Sequence, residues 1–223
     1  MVLKAVLFDH DGTLVDSEGV HYQMWLEVLK PYGVGISAEQ YMQIYSGLPT
    51  LDNALDMIER FQLKASVDEL VAKKLEIAHD YLQEHAFPLM PDAQAILDYF
   101  QQQPTIQQAI VTGAGAQIVN ATVRSHRLAP YFATIVSYDD VEQSKPAPDC
   151  YLLAAQRLQL DPTECIALED TEHGVAASVA AGIDCIAIPN AQSQRHDFSK
   201  AVVVLPNLAA AQAWIQQRYQ LTV

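Results

Sequence analysis

The chain has 223 residues, of which 50% are hydrophobic and 18% charged, so it can bury a substantial core as one large domain or one domain with an insert. Its formal net charge of -14 argues against nucleic acid or an anionic membrane surface as a partner. No apolar run approaches the roughly twenty residues of a membrane span, and Asp9 interrupts the first apolar stretch too early for a signal peptide. The three cysteines are odd in number and lack metal-ligand spacing, which favours a reducing, cytoplasmic location.

The chain opens with an apolar run of strand character, residues 4–8, followed directly by Asp9, His10, Asp11 and Gly12. In an open α/β sheet, ligands bind in the crevice beyond the carboxyl ends of the strands. Two carboxylates at such a strand end can supply a nucleophile, a general acid/base and a cation site. The opening segment therefore predicts a site, although an ordinary turn after a strand remains an alternative at this point.

An Asp-x-Asp-Gly string also begins the calcium loop of EF-hand proteins, which needs an oxygen ligand at position 5, Gly at position 6 and Glu at position 12. Counted from Asp9, these positions hold Thr13, Leu14 and Val20. The pattern therefore excludes an EF-hand loop.

Residues 16–87 have only helical patterns, including two capping-box signals that begin at Ser37 and Ser66. From residue 88 onward, short β-rich runs alternate with helical stretches, which predicts parallel strands joined by helical crossovers. The predicted strands after the first are residues 108–111, 134–137, 165–168, 185–188 and 201–205.

These patterns predict an α/β fold with a Rossmann-like parallel sheet, helices on both faces and an inserted all-helical cap domain. Residues 1–15 and 88–223 form the predicted core, and residues 16–87 form the predicted cap. The two segments in which the chain passes between the predicted core and the predicted cap are the expected hinges.

Polar residues follow several of the predicted core strands at what would be one rim of the sheet. Asp9 and Asp11 follow the first strand, Thr112 and Gly113 the second, and a loop after the third leads to Lys145. The acids Glu169 and Asp170 follow the fourth strand. Such a complementary set on one rim favours a catalytic site over unrelated loop residues.

The sequence resembles the haloacid dehalogenase superfamily of phosphoryl-transfer enzymes over essentially its whole length. The resemblance is carried by Asp9–Thr13, Thr112–Gly113, Ser144–Asp149 and Glu169–Thr171 with Gly174. The helical insert after the first motif is similar to the branch that contains β-phosphoglucomutase and small sugar-phosphate phosphatases.

The resemblance implies that Asp9 attacks phosphorus to form an aspartyl phosphate, while Asp11 serves as general acid and then as general base. It also implies that Thr112 and Gly113 hydrogen-bond the phosphoryl group and that Lys145 neutralises its charge.

The implied cofactor is Mg²⁺, which the side chain of Asp9, the backbone carbonyl of Asp11 and the acids Glu169 and Asp170 would hold, with Glu169 binding directly or through water.

Individual residues also have simpler interpretations. Lys145 could be a solvated surface lysine, and Glu169 and Asp170 could cap a helix. His10 replaces the mostly apolar residue expected between the two aspartates. Strand alternation places His10 on the side opposite Asp9 and Asp11, so we interpret it as a buried structural histidine.

In the predicted cap, Glu18 and His21 follow the first hinge, and we expect His21 to contribute to substrate binding because the resemblance places a histidine there. Ser46–Thr50 is similar to a substrate-specificity loop, but it lacks the arginine with which the mutases grip a second phosphate. Lys73 and Lys74 are candidates for a cap cation, although adjacent helical lysines usually face solvent.

The alternatives differ in the residues they explain. A nicotinamide-binding oxidoreductase needs a third glycine where Ile118 stands and leaves the acids unexplained. Asp11 argues against dehalogenase or phosphonate-hydrolase chemistry and against a non-catalytic metal-binding module. A β-phosphoglucomutase-type enzyme remains the main alternative.

The sequence thus predicts a Mg²⁺-dependent phosphatase of a small phosphorylated metabolite, a sugar phosphate by preference, acting as a monomer or weak dimer without nucleic acid or membrane partners.

Overall fold

The computed structural model describes residues 2–46, 48 and 50–221. The chain divides into two compact units. One, the core unit, comprises Met1–Asp16 and Pro88–Val223, and the other, the helical unit, comprises Ser17–Phe87. Among the described residues, no helix combines the length and apolar character that crossing a bilayer requires.

The core unit contains a six-stranded sheet in which every neighbouring pair is parallel. Its strands are β1 (Ala5–Phe8), β2 (Gln107–Val111), β3 (Thr134–Val136), β4 (Cys165–Glu169), β5 (Asp184–Ala187) and β6 (Val203–Val204). The order across the sheet is β3-β2-β1-β4-β5-β6, so β1 lies between β2 and β4. The last strand is shorter than the predicted 201–205, because this edge strand pairs only with β5.

Helices fill most of the remaining chain. In the helical unit they are α1 (Ser17–Leu29), α2 (Ala38–Ile44), α3 (Thr50–Phe61) and α4 (Val67–Glu84). In the core unit they are α5 (Ala93–Gln101), α6 (Ala116–Ser125), α7 (Asp149–Leu158), α8 (Glu172–Ala180) and α9 (Leu208–Tyr219).

The two sides of β1 pack against different helices. Ala5 and Leu7 belong to a buried cluster that includes residues of α7 and α8. Val6 and Phe8 alternate with them and therefore face the other side, where α5 contacts both β2 and α9. The predicted fold class, a parallel α/β sheet with helices on both faces, is confirmed.

The helical unit has its own buried cluster, centred on Trp25, Tyr45, Met57 and Leu70. Both predicted capping boxes are present. Ser37 bonds the backbone N–H of Gln40 at the start of α2, and the equivalent residues begin α4. Each box satisfies backbone donors that the first helical turn would otherwise leave unpaired.

Gly174 allows α8 to pack directly on the end of β4. A Cβ atom at this position would lie 1.9 Å from Cδ of Glu169 and 2.0 Å from each of its carboxylate oxygens. Glu169 is fully buried, and its Oε1 accepts hydrogen bonds from Lys145 and Tyr151. The carboxylate therefore has little room to move.

We expect Gly174→Ala to lower the free energy of unfolding by about 1–3 kcal/mol, the usual cost of forcing extra volume into a packed interior. Helix propensity alone would favour alanine by about 1 kcal/mol, so the sign of the change separates the two effects. Urea denaturation provides the measurement. Gly35→Ala is the control, since no described atom lies within 4 Å of its Cβ position; an unchanged or more stable Gly174→Ala would contradict the packing.

Candidate active site

Asp9 follows β1 directly and lies at the carboxyl end of the sheet. Its backbone N–H donates to the carbonyl of Leu168 at 3.0 Å, which ties the residue to neighbouring β4. The side chain is largely buried, with 6% of the residue exposed. A carboxylate so placed is held by the two central strands of the sheet.

Lys145 extends from the loop before α7 into the same rim. Its Nζ donates to Oδ1 of Asp9 at 2.5 Å, to Oε1 of Glu169 at 2.6 Å and to the carbonyl of Val111 at 2.8 Å. These bonds use all three donors of the ammonium group. The Tyr151 ring also lies beneath it, with Nζ 5.2 Å from the ring centroid. With 9% of its side chain exposed, Lys145 is therefore a fully bonded lysine and not a solvated surface residue.

Glu169 and Asp170 complete the buried acidic group. Oε1 of Glu169 accepts from Lys145 and from the Tyr151 hydroxyl at 2.7 Å. Oδ2 of Asp170 accepts from the side-chain amide of Asn190 at 2.7 Å. Within the described part of the chain, the other oxygens, Glu169 Oε2 and Asp170 Oδ1, are buried without a hydrogen-bond partner.

The charges of this group do not balance, because Lys145 offers one positive charge to the three carboxylates of Asp9, Glu169 and Asp170. Burial raises the pKa of Asp9 to about 7, although Lys145 opposes the rise. Burial and the neighbouring carboxylates of Asp9 and Glu169 together raise the pKa of Asp170 well above its usual range. Burial lowers the pKa of Lys145, but the two carboxylates it contacts raise it more, so it stays protonated.

The excess of negative charge fits a bound divalent cation. One oxygen from each of Asp9, Glu169 and Asp170 lies within 4.8 Å of the others. Two buried carboxylate oxygens in this group lack partners among the described residues, and an unpaired buried charge is costly. An all-oxygen, anionic donor set is the chemistry that Mg²⁺ prefers, so the residues present fit this ion.

Gly12 is required at the turn beside this group for two reasons. Its φ of +77° lies in the left-handed region, and a Cβ atom there would lie 2.3 Å from Oδ2 of Asp170. The amide of Asn190, which binds that oxygen, also lies 3.3 Å from the carbonyl of Gly12.

Sequence reasoning missed Asn190. It stands three residues beyond the end of β5, and an inspection of polar residues after that strand, as after the others, would have found it. Tyr151 was also missed, and its place inside α7 carried no signal.

Thr112 and Gly113 lie directly after β2, on the same rim. Thr112 is buried, and its hydroxyl oxygen accepts the backbone N–H of Ala114 at 3.0 Å. This bond fixes the position of the Thr112 hydroxyl oxygen, from which the hydroxyl hydrogen can donate. At Gly113 a Cβ atom would approach the hydroxyl of Ser144 to 3.4 Å, so the turn lies close to the Lys145 loop.

His10 is fully buried with both ring nitrogens hydrogen-bonded, as expected of a structural histidine. Its predicted direction is wrong, because Nδ1 lies 3.0 Å from Oδ2 of Asp11. Strand alternation does not apply here since β1 ends at Phe8 and the following residues turn. The Asp11 side chain is 38% exposed, and it lies outside the buried acidic group.

The helical unit contains a pocket of about 340 Å³, lined by Glu18, His21, Trp25, Tyr41, Leu48, Thr50, Asn53 and Lys74. Two residues of the predicted specificity loop, Gly47 and Pro49, lie outside the described residues. Glu18 accepts hydrogen bonds from the hydroxyls of Tyr41 and Ser46.

Lys74 differs from the expectation that adjacent lysines face solvent. Lys73 is exposed and pairs with Glu76 at 2.8 Å, whereas Lys74 is buried with Nζ 3.1 Å from Nδ1 of His21. Burial lowers the pKa of Lys74 to about 8. The expectation failed because Lys74 lies on the side of α4 that faces α1.

Comparisons with known proteins agree with this architecture. The family model described as haloacid dehalogenase-like hydrolase matches residues 6–188. The fructose-1-phosphate phosphatase YqaB of Escherichia coli is 35% identical over 181 residues, covering 81% of this chain and 94% of the relative. Hexitol phosphatase A of the same organism is 30% identical over 211 residues, covering 93% of each.

The crystal structure of CbbY from Rhodobacter sphaeroides in complex with phosphate is similar to this fold. It has a TM-score of 0.70 and 26% identity and covers 93% of this chain and 96% of CbbY. Since the family model spans most of the chain and the two named relatives match 81% and 93% of it, the sequence resemblance is confirmed: this protein belongs to the haloacid dehalogenase-like hydrolases.

Proposed function

We propose that this protein is a Mg²⁺-dependent phosphatase of a small phosphorylated metabolite, and that it acts through a phosphorylated Asp9. The observation that carries the proposal is the buried group in which Lys145 bonds Asp9 and Glu169 beside Asp170. The group combines a nucleophile, a fixed positive charge and an oxygen-rich cation site. Phosphoryl transfer depends mainly on such positioning and charge stabilisation.

In the first step of the proposed reaction, a carboxylate oxygen of Asp9 attacks phosphorus and the bond to the leaving oxygen breaks. Asp11 donates a proton to that oxygen, so the product leaves as an alcohol. In the second step, Asp11 takes a proton from water. The water oxygen attacks phosphorus, which releases inorganic phosphate and restores the Asp9 carboxylate.

Lys145 has a defined part in this cycle. Its bond to Oδ1 holds the Asp9 carboxylate in one orientation, which reduces the entropy lost on reaching the reactive geometry. The same ammonium offsets negative charge as phosphate approaches an acidic rim. The Thr112 hydroxyl and the Gly113 backbone N–H would donate to phosphoryl oxygens, as positioned donors do where charge develops.

Mg²⁺ would be held by Asp9, Asp170 and the backbone carbonyl of Asp11, with Glu169 binding directly or through water. When bound, the ion would neutralise charge on the phosphate and on the carboxylates. The bond from Asn190 to Oδ2 of Asp170 leaves Oδ1 for the ion.

A sugar phosphate is the substrate class we favour. The helical unit supplies a pocket whose lining carries a carboxylate, an imidazole and a buried ammonium, from Glu18, His21 and Lys74. Such groups suit hydroxyl-rich molecules, because each can exchange hydrogen bonds with a sugar hydroxyl. The relatives named fructose-1-phosphate phosphatase and hexitol phosphatase support the same class. A cytoplasmic location and a monomeric or weakly dimeric state remain part of this proposal.

A panel of phosphomonoesters, assayed with and without Mg²⁺, tests the reaction directly. We expect release of inorganic phosphate from sugar phosphates only when Mg²⁺ is present. The panel includes β-glucose 1-phosphate, because its isomerisation without phosphate release would select the mutase alternative. Turnover at an equal rate in the presence of a chelator would reject the metal-dependent mechanism.

Asp9→Asn is expected to abolish turnover while preserving the fold, because the amide lacks the nucleophilic carboxylate. It should also alter stability with pH. The folded-state pKa of Asp9, about 7, exceeds the ordinary 3.8, so the folded state retains the Asp9 proton to a higher pH than the unfolded state does. The contribution of this proton to the free energy of unfolding is therefore lost as pH rises from about 4 to 7.

The melting temperature of Asp9→Asn relative to the wild type, without divalent cations, should therefore increase across that pH interval. Glu59→Gln, a change at an exposed helical acid of the other unit, provides the charge-matched control. A pH-independent difference, or substantial residual turnover of Asp9→Asn, is the contrary result.

Asp170→Asn should raise the melting temperature in the absence of metal and weaken the stabilisation by Mg²⁺. Without divalent cation we expect a higher melting temperature than in the wild type, because the change removes a buried charge beside Asp9 and Glu169. With Mg²⁺ the wild type should gain stability by mass action, and the variant should gain much less. Thermal melts over a Mg²⁺ titration measure both effects, and equal Mg²⁺ responses in the two proteins would remove Asp170 from the metal site.

A further inference from the structure

His10 lies between two polar side chains from different parts of the core unit. Its Nδ1 is 3.0 Å from Oδ2 of Asp11, and its Nε2 is 3.0 Å from Oγ1 of Thr122 on α6. The ring is fully buried, and so is Thr122. The half-exposed carboxylate of Asp11 is thereby connected through a rigid ring to a helix of the core.

The hydrogen-bonding roles of the ring follow from the partners. We assign the proton to Nδ1, which donates to Oδ2 of Asp11, because this oxygen can accept both in the ionised carboxylate and in the acid protonated on its other oxygen. In the neutral ring Nε2 is then an acceptor, and the Thr122 hydroxyl donates to it. This single tautomer satisfies both ring nitrogens without burying a charge.

The backbone of His10 is fixed as firmly as its ring. Its carbonyl accepts the N–H groups of Leu14 and Val15, each at 2.9 Å, and the N–H of Gly12 donates to the carbonyl of Val15 at 2.8 Å. These bonds close the turn that carries Asp11. The donor atom that faces Asp11 is therefore held from both the turn and α6.

We propose that His10 is a positioning residue: through its bond to Oδ2 it holds the Asp11 carboxylate in the orientation in which Asp11 exchanges a proton with the leaving group and with water. The inference rests on the proposed function, in which Asp11 is the general acid and base. A side chain that only filled this space would serve as well if it were apolar, without a polar ring to satisfy. The ring instead supplies an N–H bond to the carboxylate that must be oriented.

Three substitutions separate packing from the bond. His10→Leu keeps an apolar filling and removes both bonds. In His10→Asn the side-chain amide can reach the Nδ1 position and donate to Asp11, whereas in His10→Gln the amide stands nearer the Nε2 position and keeps the Thr122 contact.

Two substrates report on the acid. An alkyl sugar phosphate needs a proton on its leaving oxygen, and p-nitrophenyl phosphate does not, because its leaving group is stable as an anion. The measured quantity is kcat/KM, which covers the steps up to departure of the leaving group.

We expect His10→Leu and His10→Gln to lose about tenfold or more in kcat/KM on the alkyl phosphate, part of the roughly 10²- to 10⁴-fold contribution of general acid–base catalysis. On p-nitrophenyl phosphate both should stay within about threefold of the wild type, and His10→Asn should restore most of the activity on the alkyl phosphate. Thr122→Val should show the same selective loss, smaller in size, with Thr122→Ser as its matched control because it keeps the hydroxyl.

Equal losses on both substrates, or no loss on the alkyl phosphate, would overturn the positioning role while leaving the proposed function intact. A wild type that hydrolyses neither substrate would instead contradict the proposed function. If the His10 variants do not fold, ¹⁵N NMR of the wild-type ring decides: a proton on Nδ1 supports the bond to Asp11, and an unprotonated Nδ1 excludes it.

Discussion

The ammonium of Lys145 holds the rim of this sheet together. It is buried among Asp9, Glu169 and the carbonyl of Val111, and it uses every donor it has. Removing one partner of such a buried ion group leaves an uncompensated charge, which is far more costly than breaking a surface pair. The ends of β1, β2 and β4, which are already paired as neighbouring strands, are therefore also linked by one side chain.

The same group remains incompletely neutralised, and this imbalance links structure to chemistry. The raised pKa values of Asp9 and Asp170 express the cost of holding carboxylates together in a buried place. Binding of a divalent cation would stabilise such a site, so the stability of the protein would depend on the concentration of the cation. The paired central strands, β2, β1 and β4, hold these carboxylates in place.

Small residues and neutral polar groups complete the arrangement. Gly12 and Gly174 both stand where a Cβ atom would collide with a carboxylate of the acidic group. Asn190 and Tyr151 each bind one oxygen of Asp170 or Glu169. They set the directions of the acids without adding charge, which is how a polar group beside a metal ligand orients it.

The sequence alone determined the fold class, both capping boxes and the set of acids at the strand ends, because these depend on local patterns and on the rule that parallel strands end at one rim. It did not reveal the partners that complete the site. Asn190 comes from beyond β5, Tyr151 from within α7 and Thr122 from within α6, and Lys74 is buried where its pattern predicts solvent. Which side chains meet across such separations depends on packing in three dimensions. That is why only the tertiary structure placed the His10 ring against the Asp11 carboxylate, at a point where the chain has left the strand and alternation no longer applies.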